Sequence, residues 1–296
     1  MVSHLGEIYS VTCALLWAIA VIFLRTASAS VPAVELNVLK NVVGLFLFAG
    51  SFVVVGWDEF HNLTAEKLGL LSLSALLGIT VADTFFLKAL NLLGASRTAV
   101  VDCLYSPFVI VLSVFFLDES LRWGHLAGFI LIIGGVLLAT ASTHFDRLPT
   151  GVLWKGLGYG ALAMFLMASG VILSKPILAD TSPLAVSAWR LMVGFLGCVA
   201  WILVSGRTKQ SIRVFRGPLP WVSIFLGASL GSWLSLLVWM AGFKYTEAST
   251  ASILNQTSII FIIILAALFL REPIGWRRAT GVFLGFAGVA AIFLLP

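Results

Sequence analysis

Long apolar runs, separated by short polar stretches, follow one another along nearly the whole chain. Ten of these runs are long enough for an α-helix to cross the hydrocarbon core of a bilayer. Helices are expected rather than strands, because the strands of a membrane barrel alternate apolar and polar residues. We predict helices at 7–27, 33–56, 67–91, 95–117, 124–142, 154–178, 183–205, 219–243, 248–270 and 276–295.

The pattern occurs twice, once in each half of the chain. Shifted by 150 residues, Tyr9, Arg25, Lys40 and Gly44 align with Tyr159, Lys175, Arg190 and Gly194; shifted by 153, Trp123, Gly128 and Gly135 align with Trp276, Gly281 and Gly288. Each half holds five predicted helices, so the second half enters the membrane upside down relative to the first. We therefore predict an all-α integral membrane protein with ten transmembrane helices, arranged as two inverted five-helix repeats around a central cavity. The repeats cover 1–143 and 154–296, with 144–153 as a polar linker.

Composition makes lipid the main solvent of this chain. Hydrophobic residues make up 60% of it, charged residues 10%, and the mean hydropathy is +1.08, which no single soluble core can accommodate. The net charge of +5 alone would fit nucleic acid, but the basic residues lie in short loops and do not cluster with aromatic residues on any soluble segment, so no nucleic-acid partner is expected. Cys13, Cys103 and Cys198 are isolated on separate helices and indicate neither a metal site nor a disulfide.

Loop charges bear on the orientation of the chain. Of the 18 Lys and Arg residues, 13 lie in or near odd-numbered loops, which the positive-inside rule places in the cytoplasm with both termini outside. The clearest contrast is between the basic loop at Gly206–Gly217 and the acidic one at Asp58–Lys67. Although Ala27-Ser28-Ala29 mimics a signal-peptidase site, no Lys or Arg precedes the first apolar run, so we expect this helix to be retained.

Two acidic residues fall at membrane depth, where a charge is costly and invites a functional interpretation. Asp83 lies in the third predicted helix and Asp102 in the fourth. Each is a candidate for coupling transport to a proton or a cation. The alternative is a structural ion pair with Lys88, Arg97 or Lys40, and the sequence favours neither.

Basic and polar residues complete the candidate cavity. Lys40 and Arg190 occupy equivalent places in the second and seventh helices and could hold a substrate carboxylate or phosphate, or else extend to the lipid headgroups. Further cavity candidates are Tyr105, Ser106, Ser232, Trp239, Asn255 and Gln256. Such groups bind small polar solutes beside an aromatic wall, or they link helices. We also expect Pro107 to bend the fourth helix.

The fourth and ninth helices carry a family resemblance. Its segments are Ala89-Leu90, Gly94-Ala95-Ser96, Tyr105-Ser106-Pro107 and Phe116-Leu117-Asp118-Glu119 in the first half, and Ala248-Ser249, Phe269-Leu270-Arg271-Glu272, Trp276 and Gly281 in the second. Together with Trp17, Arg25, Lys40 and Arg190, this set resembles the EamA domain of the drug/metabolite transporter superfamily over nearly the whole chain. The resemblance implies a ten-helix carrier with a central cavity, often for export of amino acids or related metabolites, and adds Trp17 to the cavity candidates.

The chain also departs from the family pattern. Ile260 stands where the first copy has Pro107, and Lys40 stands where the family more often has Arg. Family members are commonly drawn with cytoplasmic termini, which conflicts with the loop charges, so the orientation stays open.

These observations lead to one functional hypothesis and two alternatives. We predict a secondary transporter of small polar metabolites in the plasma (inner) membrane, an exporter of amino acids or related compounds, without cofactor or metal and acting as a monomer or weak homodimer. A passive channel is the first alternative. An integral membrane enzyme is the second, since Gly227–Gly231 fits a nucleophile-elbow pattern, but it lies in an apolar helix without the strand and turn that this motif requires.

Overall fold

All regular secondary structure in the part of the chain that the computed structural model describes is helical. The described residues are 4–94, 98, 101–120, 122–140, 149–270 and 276–295. In chain order the helices are α1 (Leu5–Ser28), α2 (Ala33–Val55), α3 (Ala65–Leu93), α4 (Tyr105–Leu117), α5 (Trp123–Thr140), α6 (Thr150–Ser174), α7 (Pro183–Val204), α8 (Thr208–Arg216), α9 (Trp221–Tyr245), α10 (Ala248–Asn255), α11 (Thr257–Leu270) and α12 (Trp276–Leu294). The predicted all-α class is confirmed for these residues.

Within the described residues, six helices are long and apolar enough to cross a membrane by themselves, namely α1, α2, α3, α6, α7 and α9. Their ends lie within a few residues of the predicted ones. The end of α6 comes before the predicted one, because the chain leaves the α-helix at Lys175 and continues as a 3-10 turn over Pro176–Ala179. A proline cannot donate the backbone hydrogen bond that would extend the α-helix.

Two predicted helices are interrupted rather than continuous. The fourth has a turn at Cys103 and Leu104 immediately before α4, and the ninth is divided at Gln256 between α10 and α11. These interruptions are 153 residues apart, the same shift that relates the two halves. We expected Pro107 to bend the fourth helix, but the break lies about one helical turn earlier, at Cys103 and Leu104. Pro107 sits in the first turn of α4, where the missing backbone N–H of a proline costs least.

The long helices α3 and α9 each contain a π-helical segment. These segments are Leu76–Ala82 and Ser229–Ser235, again 153 residues apart. Such wide turns leave backbone carbonyls free for other partners and occur often at functional sites. In α3, the carbonyl of Ile79 accepts a hydrogen bond of 2.8 Å from the Asn37 side chain. Gly231 of the elbow-like sequence also lies in such a segment, within the single helix α9.

Helices from equivalent positions in the two halves pack against one another. The equivalent pairs are α2 with α7 and α5 with α12, and α4 of the fourth predicted helix packs against α10 of the ninth. α1 packs against α9, α10 and α11, and its counterpart α6 packs against α3 and α4. The contacts run antiparallel. At the start of α4, Ser106 donates to the carbonyl of Ser252, and beyond its end Glu119 accepts from the amide of Ala248.

The helix pair α5–α12 is held by small residues. A Cβ on Gly135 would lie 2.5 Å from the carbonyl oxygen of Gly281, so glycine lets the two backbones touch. Gly124 and Gly128, four residues apart in α5, face the same helix, so the glycines of α5 serve packing within the chain.

The basic segment Gly206–Gly217, predicted as a loop, contains a short amphipathic helix, α8. Ser211 of this helix donates a 2.7 Å hydrogen bond to the fully buried carboxylate of Glu35, and Arg207 lies 3.8 Å from the same carboxylate. We call this side of the bundle the Arg207 end and the opposite side, where α4 ends, the Glu119 end. Residues 144–148 of the predicted linker lie outside the described residues, as do Arg97, Arg271, Glu272, Ala95 and Ser96.

Candidate functional site

A cavity lies in the middle of the bundle, where α1, α2, α3, α6, α7 and α9 surround the interruptions near Asp102 and Gln256. Its volume is about 110 Å³, which gives room for several water molecules. Its lining is mainly apolar, with a few charged groups, as is usual for small-molecule sites. A smaller cavity shares Trp17 and Asp102 with it and continues past Val21, Leu90 and Ile262, toward the Arg207 end.

The structure brings ten of the eleven sequence-predicted site residues together around this cavity. They are Trp17, Lys40, Asp83, Asp102, Tyr105, Arg190, Ser232, Trp239, Asn255 and Gln256. Ser106 is not among the lining residues. Its hydroxyl donates to the carbonyl of Ser252 at 2.7 Å and so ties α4 to α10 instead.

Lys40 is held by an ion pair inside the bundle. Its ammonium lies 2.6 Å from the carboxylate of Asp83 and 3.3 Å from the amide oxygen of Asn41. The amide of Asn41 in turn donates to Asn37, whose own amide donates to Thr84 and the free carbonyl of Ile79. Lys40 is only 5% exposed, so the alternative that it extends to the headgroups does not fit. The charges of Lys40 and Asp83 offset one another.

Arg190 is buried to 1% exposure but has no carboxylate within ion-pair distance among the described residues. One guanidinium nitrogen lies 3.1 Å from the sulfur of Met240, a weak acceptor. The guanidinium carbon lies 5.6 Å from the ring centre of Trp239, a cation–π contact. The Nε–H is buried without a hydrogen-bond partner in the described part of the chain. An arginine at a helix centre costs about 3 kcal/mol on insertion scales, so its position calls for an explanation.

The interruptions in the fourth and ninth helices meet at Asp102. The side-chain amide of Gln256 donates a 3.0 Å hydrogen bond to the backbone carbonyl of Asp102, which the turn at Cys103 leaves free of a helical partner. Neither an ion pair nor a hydrogen bond to the Asp102 carboxylate is found among the described residues. The amide of Asn255, equivalent to Asp102 by the 153-residue shift, also lacks a partner there. The Asp102 carboxylate and the Asn255 amide are thus available to bind a solute in the cavity.

Aromatic rings form the wall of the cavity. Trp17 and Phe86 lie 5.8 Å apart between ring centres, and Tyr105 and Trp239 lie 6.4 Å apart. Phe86, like Met167, lines the cavity and was missed in the sequence. The repeat would have found both, because Met167 is equivalent to Trp17 by the 150-residue shift and Phe86 to Trp239 by the 153-residue shift.

Metal coordination finds no support in the described ranges, where no group of three His, Cys, Asp or Glu side chains could hold an ion. Lys88, considered above as a partner of Asp83, lies instead near the rings of Phe85, Tyr159 and Trp201, at 5.0 to 5.5 Å from their centres.

Comparison with known proteins identifies related chains over the whole length. The model of the EamA-like transporter family matches twice, at residues 4–141 and 154–294. An uncharacterized transporter from Archaeoglobus fulgidus is 23% identical over 290 residues, covering 97% of both chains. An S-adenosylmethionine uptake transporter from Rickettsia bellii is 24% identical over 134 residues, covering 45% of this chain and 44% of that protein. A crystal structure with 16% identity has the same fold, with a TM-score of 0.78 over 98% of this chain and 96% of that one.

Proposed function

The chain belongs to the EamA-like transporter family, and from this premise we propose that it is a secondary transporter of small polar metabolites that works by alternating access. Like its relatives it is a multi-pass membrane protein, located in the plasma membrane. We propose amino acids or related metabolites as the cargo and export as the direction. Because the cavity lies within one chain, a monomer suffices for transport.

The arrangement of ten transmembrane helices in two inverted repeats is part of this proposal. Antiparallel contacts between α2 and α7, α4 and α10, and α5 and α12 support it, since an odd number of helices inverts the second repeat. The matched π-helical segments and interruptions, each 153 residues apart, support it as well. We place the boundary between the repeats at 144–153.

The observation that carries the proposal is that equivalent positions of the two halves line one cavity. The pairs are Trp17 with Met167, Lys40 with Arg190, Gly78 with Gly231, Phe86 with Trp239, Asp102 with Asn255, and Tyr105 with Ser258. A site built from both repeats near the bilayer midplane can be exposed to either side when one repeat rocks against the other. The family is one of transporters rather than enzymes, and no group of three His, Cys, Asp or Glu side chains in the described part of the chain could hold a catalytic metal ion.

Counterflow in proteoliposomes tests the transporter proposal. Vesicles loaded with an unlabelled amino acid should accumulate the labelled compound transiently above equilibrium, because a carrier exchanges solutes across the membrane and a passive channel does not. The assay does not depend on net direction, which matters because one similar protein is named for uptake. Equilibration without overshoot, for solutes that do enter the vesicles, would favour a channel.

Asp102 is the better candidate for ion coupling. Asp83 already has Lys40 as a partner at 2.6 Å, whereas the Asp102 carboxylate faces the cavity without one among the described residues. Asp102→Asn should therefore abolish the dependence of net transport on a pH gradient while leaving exchange at equal pH in place. Unchanged pH dependence in this variant would remove Asp102 from the coupling mechanism and leave Asp83 as the candidate.

A further inference from the structure

We propose that Arg190, with the Tyr105 hydroxyl, is the subsite that binds the carboxylate of a substrate with an apolar body, and that Lys40 takes no direct part in binding. This inference rests on the proposed transport function and narrows its substrate class. It assigns different roles to Lys40 and Arg190, which occupy equivalent positions of the repeat and which the sequence alone does not distinguish.

The first argument is the unbalanced charge of Arg190. Lys40 has its counter-ion in Asp83 at 2.6 Å, but Arg190 has none among the described residues. Its present neighbours are a thioether sulfur and an indole ring, which cannot neutralise a guanidinium. A buried charge needs a partner of opposite sign. The missing anion is supplied by the ligand.

The second argument is geometric. Tyr105 is 5% exposed, and its hydroxyl has no hydrogen-bond partner in the described chain. Tyr105 and Arg190 both contact Trp239. The ring centres of Tyr105 and Trp239 lie 6.4 Å apart, and the guanidinium carbon of Arg190 lies 5.6 Å from the ring centre of Trp239. Gly78 leaves space beside the arginine, since a Cβ at that position would lie 3.1 Å from Nη2. A planar fork of donors and a hydroxyl beside one indole match the two oxygens of a carboxylate.

The third argument concerns charge and the rest of the ligand. Arg190 has no carboxylate within ion-pair distance among the described residues and can pair with a monoanion, whereas a phosphate dianion needs a second free cation, and Lys40 is engaged by Asp83. The unpaired Asp102 carboxylate in the same lining disfavours a dianion further. Trp17 and Phe86 form an apolar wall across the same cavity, which suits a hydrocarbon or aromatic group attached to the carboxylate.

Binding to the purified full-length protein tests the assignment with four probes that share one ring: L-phenylalanine, 3-phenylpropionate, 2-phenylethylamine and phenyl phosphate. Isothermal titration should detect the two carboxylates and give 2-phenylethylamine at least about tenfold weaker affinity, the ratio expected for a charge-assisted hydrogen bond. Phenyl phosphate should bind more weakly than 3-phenylpropionate. Equal affinity for amine and acid, tighter binding of the phosphate, or no binding by any probe would overturn the assigned class.

Variants separate Arg190 from Lys40. Arg190→Gln should lower the affinity for 3-phenylpropionate by about 10- to 100-fold without changing the affinity for 2-phenylethylamine. Arg216→Gln, which removes the same charge from an exposed position of α8, is the matched control and should change neither of these two affinities. Gly78→Ala keeps the arginine but crowds it, so carboxylate affinity should fall several-fold, which provides a second readout if Arg190→Gln does not fold.

Failure of this inference is distinguishable from failure of the proposed function. If counterflow is intact but Arg190→Gln binds carboxylates as the wild type does, the subsite is wrong and the transporter stands. If carboxylate binding follows Arg190 but no solute shows counterflow, the subsite stands and transport is refuted.

Discussion

Lys40 and Arg190 show how two equivalent basic residues acquire different tasks. Both are buried at the cavity, but only Lys40 has a carboxylate beside it. The residue 153 positions after Asp83 is Leu236, so the second half has no counterpart of the acid that neutralises Lys40. The difference between the two cations therefore originates in the third helix of each repeat and not in the basic residues themselves.

The Lys40–Asp83 pair leads to a stability prediction. Asp83→Leu should lower the free energy of unfolding by about 3 to 5 kcal/mol, because it leaves a buried ammonium without its partner. The double variant Lys40→Met/Asp83→Leu should recover most of the loss, since apolar residues can replace a buried pair. Thermal unfolding in detergent measures both. A single variant as stable as the wild type would contradict the prediction.

Lys67 in the first turn of α3 and the exposed Asp180 before α7 form the matched control, with the same 2.6 Å separation at the surface of the bundle. The hydrogen bond from Lys67 lowers the pKa of Asp180. The pair therefore stabilises the protein at neutral pH, and this contribution is lost as the pH falls through the depressed pKa of the folded state. Because water screens it, Asp180→Asn should shift the unfolding midpoint much less than Asp83→Leu.

Among the helices, the pair α5–α12 depends on close backbone contact. Cβ atoms on Gly124, Gly128 and Gly135 would meet backbone or side-chain atoms of α12, whereas a Cβ on the neighbouring Gly134 would meet nothing within 4 Å. The two adjacent glycines of α5 thus have opposite environments.

Gly135→Ala and Gly134→Ala give a paired prediction. Alanine raises helix propensity at either position by about 1 kcal/mol, but at Gly135 its Cβ would lie 2.5 Å from the carbonyl oxygen of Gly281. Gly134→Ala should leave the unfolding midpoint unchanged or raised, and Gly135→Ala should lower it. Equal shifts would mean that the two helices do not touch at this depth.

At the scale of the whole molecule, polar contacts close the Glu119 end. The Glu119 carboxylate accepts hydrogen bonds from the amides of Ala248 and Ser249 at 2.6 and 3.0 Å. Lys175 donates to the carbonyls of Phe243 and Thr246 at the end of α9. The smaller cavity, which shares Trp17 and Asp102 with the main one, lies instead on the side of the Arg207 end, past Leu90.

Labelling from the two sides of the membrane tests this asymmetry. A Cys at Asp102, in a background with the three native cysteines replaced, should react with an impermeant maleimide from the Arg207 end. Reporters are Lys209→Cys on α8 and Asp58→Cys near the Glu119 end, both exposed. Asp102→Cys should be labelled in the same vesicles, right-side-out or inside-out, in which Lys209→Cys is labelled. Labelling that follows Asp58→Cys would reverse the inferred access, and Ser106→Cys should stay unreactive.

The sequence by itself determined the helical membrane class, the approximate ends of the long helices and ten of the residues around the cavity. It could do so because hydrocarbon leaves long apolar runs only one way to satisfy their backbone, and because polar residues at membrane depth are few. Local pattern could not reveal the interruptions at Cys103 and Gln256, since neither residue is a strong helix breaker.

Only the tertiary structure decided which polar groups pair with which. Asp83 meets Lys40 across 43 residues of sequence, and Ser106 is taken up by the carbonyl of Ser252 rather than the cavity. Such pairings depend on the rotation and depth of packed helices, and a hydropathy pattern carries neither. For the same reason, the sequence placed Arg190 in the membrane, but the fold left its charge without a partner.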